Sequence, residues 1–149
     1  MISQTIRVFP LSKTKEREMF GTIEKVSYYF SNVLPARNPP GSFYIPNDRS
    51  NFEKESLILF QYAERKNDEK IIGHAVLLSD GCIHDSSRAG YIGYYLLDLS
   101  TIVIYDNPVT KEEVFKIWKK LLFQSKLNLD VSKYGEYMTL LKDKGNLRD

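Results

Sequence analysis

Apolar positions along the chain follow two periods, and the changes between them mark the elements. "TIRVF" (5–9) reads as a first strand, stopped by Pro10. In "SKTKEREMFGTIEKV" (12–26), Met19, Ile23 and Val26 fall at helical spacing behind Ser12 or Thr14 as caps, with Gly21 weakening the pattern. Two apolar runs, "SLILFQYAE" (56–64) and "IIGHAVLLS" (71–79), flank a charged connection and predict an antiparallel hairpin buried on most of two faces. "YIGYYLLDL" (91–99) and "TIVIYD" (101–106) read as two more strands. "NPVTKEEVFKIWKKLLF" (107–123) predicts a helix with a Thr110–Glu113 capping box and an apolar face of Val114, Ile117, Trp118 and Leu121. A last strand (125–130) and a closing helix through Tyr134, Met138 and Leu141 complete the pattern. Hairpins dominate and parallel βαβ units are not evident. The expected class is α+β, a small mixed or antiparallel curved sheet or pseudo-barrel with flanking helices.

One stretch fits neither period. "SYYFSNVLPARNPPGSFYIP" (27–46) sets Tyr28, Tyr29, Phe30, Phe43 and Tyr44 among Pro, Gly, Asn and Ser. Pro35, Pro39 and Pro40 exclude a regular helix through it, and "NPPG" signals a turn. Ring faces exposed beside amides suit a flat ligand with polar edges. A nucleobase has that character, and stacking one on an aromatic side chain is worth roughly 1–3 kcal/mol. The ordinary alternative is that the rings fold inward and cover one end of the sheet. A second aromatic group lies in "GYIGYYLLD", where alternation puts Tyr91, Gly93 and Tyr95 on one face and Tyr94 on the other. Gly93 there leaves room for something to approach the sheet.

The length of 149 residues predicts a single domain over 1–149. Net charge is only +2, which permits a polyanionic partner without demanding one. One cysteine, Cys82, excludes an internal disulfide and a cysteine-rich zinc site. No apolar run reaches membrane-spanning length and the N-terminus lacks a signal-peptide pattern, so no membrane partner and a cytoplasmic location are expected. The chain has no phosphate loop, no dinucleotide-binding glycine pattern and no nucleophile elbow. His74 and His84 stand in no metal-ligand spacing, and no metal or cofactor is expected. His74 reads as a structural strand histidine, and "DGCIHDSSRAG" (80–90) as a solvated loop. A Cys82–His84 nucleophile pair is the most distant alternative, so no catalytic residue is assigned.

"ESLILFQYAERKNDEKIIGHAVL" resembles the central hairpin of PUA-like domains, the superfamily that includes the EVE, ASCH and YTH groups. The later "GYIGYYLLDLSTIVIYDNPVTKEEVFKIW" is similar to the C-terminal half of such modules at the front of modification-dependent restriction proteins, fused to HNH nucleases or McrB-type GTPase motors. The resemblance covers about residues 53–142. It implies a non-catalytic nucleic-acid-binding domain, with DNA favoured and RNA the alternative, reading a modified, flipped base in an aromatic pocket. The chain would then be the N-terminal domain of a longer protein, its effector lying elsewhere. Base contacts would come from Tyr28, Tyr29, Phe30, Asn32, Asn38, Phe43 and Tyr44. Phosphate contacts would come from Arg37, Arg49, Arg88 and Lys126. The family's frequent early Trp is missing, Trp118 being the sole one. A protein-interaction or assembly domain, using the same aromatics as interface anchors, is the rival of a different class.

Overall fold

Pro10 is the last residue of the first strand, β1 (Ile6–Pro10), and the Leu11 N–H beyond it still donates to the Gln61 carbonyl at 2.8 Å. The computed structural model describes residues 5–11, 23–46, 52–63, 65, 68–120 and 128–147. The expected caps at Ser12 and Thr14 lie outside these residues, as do Arg49 and Lys126. Helix α1 (Ile23–Tyr28) continues through a π-helical turn, Tyr29–Val33, and a 3₁₀ turn, Leu34–Ala36, into β2 (Ser42–Ile45). The irregular aromatic stretch is therefore a helical end followed by a short strand. Next come β3 (Leu57–Tyr62), β4 (Lys70–Val76), β5 (Ile83–His84) and β6 (Gly93–Leu96). Strand β7 (Val103–Thr110), α2 (Lys111–Trp118), β8 (Asn128–Leu129) and α3 (Tyr134–Asp143) complete the chain.

The larger sheet has the order β7-β4-β3-β1-β8. The predicted β3–β4 hairpin is antiparallel, with Leu57 opposite Val76. The sheet is mixed, one of the expected forms: β1 and β3, a parallel pair not evident in the sequence, set Ile6 opposite Leu57 and Phe9 opposite Phe60. The chain between them makes the long crossover that a parallel pair needs. The smaller sheet, β2-β6-β5, is antiparallel. The two sheets meet at a Leu77–Leu97 bridge but, among the described residues, do not close into a barrel.

Strict alternation explains the near-continuous apolar run of β3. Ile58 and Phe60 face the smaller sheet and the α1 segment; Leu57 and Leu59 face α2 and α3. On the helical side, Val114, Trp118, Tyr137 and Leu141 are buried over the sheet. The predicted capping box is present: the Thr110 hydroxyl accepts from the Glu113 N–H at 3.1 Å, and Glu113 accepts from the Thr110 N–H at 2.9 Å. As the Thr110 cap requires, the helix starts at Lys111, and 107–110 extend edge strand β7. There Asn146 completes the edge, accepting from the Asn107 N–H at 2.9 Å and donating to its carbonyl at 2.7 Å.

Gly93 admits a neighbour, as its sequence context suggests, but that neighbour is the chain itself. A Cβ there would stand 2.1 Å from the Ile83 carbonyl oxygen and 2.9 Å from the Cys82 sulfur. Gly93→Ala should therefore push β5 away and destabilise by roughly 1–3 kcal/mol in urea denaturation. A change within error of zero would show that β5 gives way freely.

Candidate functional site

The β2–β6 pairing gathers the polar aromatic residues. Phe43 lies opposite Tyr95 and Tyr44 opposite Tyr94. Alternation then sends Phe43 and Tyr95 into the core and leaves Tyr44 and Tyr94 on the outer face. Tyr91 precedes the strand, so strand alternation does not govern it. It joins Tyr44 rather than Tyr95, with ring centroids 5.9 Å apart.

Two arginines pack on this group. The Arg37 guanidinium carbon lies 5.5 Å from the Tyr44 ring centroid and 5.2 Å from that of Tyr29. The Arg88 carbon lies 5.0 Å from the Tyr44 centroid and 5.3 Å from that of Tyr91. Such contacts hold a cation without neutralising it. Arg37 is fixed further through Nη1, which donates to the Tyr29 hydroxyl and to the Ser42 carbonyl, each at 3.1 Å. Burial pushes the Tyr29 hydroxyl up to about 12, with Arg37 and Arg88 acting against it, so this acceptor is neutral at physiological pH. Among the described residues no carboxylate lies within ion-pair distance of Arg37 or Arg88.

Asp85 completes the cluster. It accepts from the Tyr44 hydroxyl at 2.8 Å and from the Ser87 N–H at 2.8 Å. The Ser87 backbone N–H, then the Ser87 and Tyr44 hydroxyls, hold its carboxyl below the ordinary range. Burial, followed by Tyr44 and Asp85, raises Tyr94.

The residues expected to contact a base divide sharply. Tyr29, Phe30 and Phe43 are buried in the core, a correction to the accessible faces expected of them. Phe43 meets Phe9 at 5.3 Å and Tyr29 at 5.6 Å; Phe30 meets Phe60 at 4.7 Å. The space among Phe9, Phe43, Phe52, Phe60 and Tyr95 does not admit a water molecule. The physical reason is that β1, β3 and β6 supply the regular packing surface that the loop sequence lacks by itself. Tyr44 is nearly covered, its ring serving as the arginine platform. Tyr28 is the exposed ring, at 62%. Asn32 and Asn38 are exposed; the Asn32 amide donates to the Tyr28 carbonyl at 3.4 Å.

Sequence reasoning singled out Arg37, Arg88 and Tyr44 but did not unite them, and it gave Asp85 and Tyr91 no place beside them. The short spacing of Arg88 and Tyr91 in "SSRAGY" was the available signal. The Cys82 thiol donates to the Ile83 carbonyl at 3.6 Å, and His84 is exposed on β5. Among the described residues no group of three His, Cys, Asp or Glu side chains could hold a metal ion, and no helix is long and apolar enough to cross a membrane. A shallow groove of about 720 Å³ lies between α2 and α3, lined by Ile117 and Leu140 and by the carboxylates of Glu113, Glu136 and Asp143.

Fold and site together define a small α+β domain with a cationic–aromatic surface cluster. Comparison with family models, with curated proteins and with solved structures finds no match for the chain.

Proposed function

We propose that this chain is a non-catalytic nucleic-acid-binding domain whose phosphate contacts centre on Arg37 and Arg88. The observation that carries the reading is the pair of guanidiniums on one tyrosine ring, with no carboxylate partner among the described residues. Arg37 is held by a neutral hydroxyl and a carbonyl, which orient it and leave its charge available. Its Nε–Nη2 edge, the side that grips phosphate bidentately, has no partner among the described residues. The α2–α3 groove suits this role less, because the carboxylates of Glu113, Glu136 and Asp143 line it against Lys116 alone. Any stacking falls to exposed Tyr28 rather than to the buried rings.

The PUA-like relationship, and DNA targeting in a restriction system, belong to the same proposal. What supports them is the β3–β4 hairpin that carries the resemblance. RNA is the alternative ligand of the same cluster. In a titration of labelled oligonucleotide at several salt concentrations, Arg37→Ala together with Arg88→Ala should weaken binding at least tenfold. The double variant should also flatten the dependence of log K on log salt by about two phosphate contacts. An unchanged affinity and slope would remove the cluster from the interface.

A further inference from the structure

Arg37 and Arg88 act on the same small region. Both guanidiniums lie within 5.5 Å of the Tyr44 ring centroid, and the charges of both act on the Tyr29 hydroxyl. Arg37 uses Nη1 for its two internal hydrogen bonds and keeps the Nε–Nη2 edge. Arg88 makes ring contacts alone among the described residues, so its donors are uncommitted there. Two guanidinium forks on one tyrosine ring offer two bidentate sites. An internal phosphodiester has two non-bridging oxygens and one negative charge, enough for one fork. A phosphate monoester has three terminal oxygens and a charge of about −1.5 to −2 at neutral pH. Three oxygens can engage two planar forks at once.

We propose that the Arg37–Arg88 cluster takes a phosphate monoester, such as the terminal phosphate of a nucleic-acid strand, in preference to internal diesters. This rests on the nucleic-acid reading for its carrier but not for its phosphate. Asp85 opposes any anion here, and its repulsion grows with ligand charge. Asp85→Asn should therefore strengthen monoester binding more than diester binding.

The test is fluorescence anisotropy of the full chain with one short single strand in three forms: 5′-hydroxyl, 5′-phosphate and 3′-phosphate. A nucleoside monophosphate and inorganic phosphate serve as competitors. A terminal phosphate should raise affinity about tenfold or more, as one or two added charge-assisted hydrogen bonds would. The two phosphorylated strands distinguish which end is bound, and the competitors distinguish a strand end from free phosphate. Arg88→Lys keeps the charge but loses the fork. It removes no hydrogen bond found among the described residues, so it should fold normally and erase most of that gain. Arg37→Lys should do the same at some expense of stability. Equal affinity for the hydroxyl and phosphate forms, or a gain that survives in Arg88→Lys, overturns the monoester assignment and leaves diester binding standing. Arginine-dependent binding of the nucleoside monophosphate without binding of any strand overturns the nucleic-acid reading instead. No binding of any probe overturns both.

Discussion

Phe43→Ala is expected to destabilise the protein by roughly 3–5 kcal/mol, as truncation of a buried phenylalanine does. Phe43 is 4% exposed, and its ring is stacked near-parallel to that of Phe60, with interplanar angle 16° and centroids 6.4 Å apart. Phe9 and Tyr29 close on it edge-on. Removing the ring leaves a cavity between two sheets that rigid strands cannot readily collapse. Native stability of a domain is only about 5–15 kcal/mol, so the variant should lie near the limit of folding. Tyr28→Ala, in the same segment but 62% exposed, should change stability by less than about 0.5 kcal/mol. Urea denaturation with an unchanged m-value checks both. Equal effects at the two positions would mean that the segment is not packed as described.

Acid is expected to weaken the fold through His74. Its Nδ1 lies 2.6 Å from the Tyr105 hydroxyl, which lies 3.0 Å from that of Tyr137. The chain of three groups is buried beneath α3, beside Trp118. Burial lowers His74 from 6.5 to about 4, so the native state holds it neutral. Above pH 6.5 neither folded nor unfolded chain protonates it, and it adds no pH dependence. Between pH 6.5 and about 4 the unfolded chain takes up a proton that the native state refuses, and stability falls as pH falls. Below about pH 4 both states carry the proton and this loss levels off. The full loss is about 3 kcal/mol, because each tenfold drop in proton affinity on folding costs about 1.36 kcal/mol. Unfolding free energies measured across this range should show the slope, and His74→Gln should remove it. A wild-type curve flat between pH 6.5 and 4 would contradict the burial of a neutral imidazole.

The sequence was legible where the governing chemistry is local. The capping box at Thr110 and Glu113 needs only residues three apart, and the β3–β4 hairpin announces itself by two apolar runs around a charged turn. Strand β2 was hidden because four residues between Gly41 and Pro46 give too short a record of alternation. The parallel β1–β3 pair was hidden because nothing near Ile6 specifies Leu57 as its partner. The candidate site was half visible for the same reason. Arg37 and Arg88 each stood out, but their shared platform exists only once β2–β6 pairing puts Tyr44 beside Tyr94. The buried rings were read as exposed because proline and glycine describe the backbone of a segment, not the surface that packs over it.

The central claim is that Arg37 and Arg88 form the ligand contact while Tyr29, Phe30 and Phe43 serve the core. The arginine Nε–Hε resonances, followed by NMR as a short oligonucleotide is added, test it most directly. Those of Arg37 and Arg88 should shift together and saturate first, while Arg7, ion-paired with Glu53 at 2.7 Å, stays in place. Shifts confined to other arginines, or spread evenly over all of them, would contradict it.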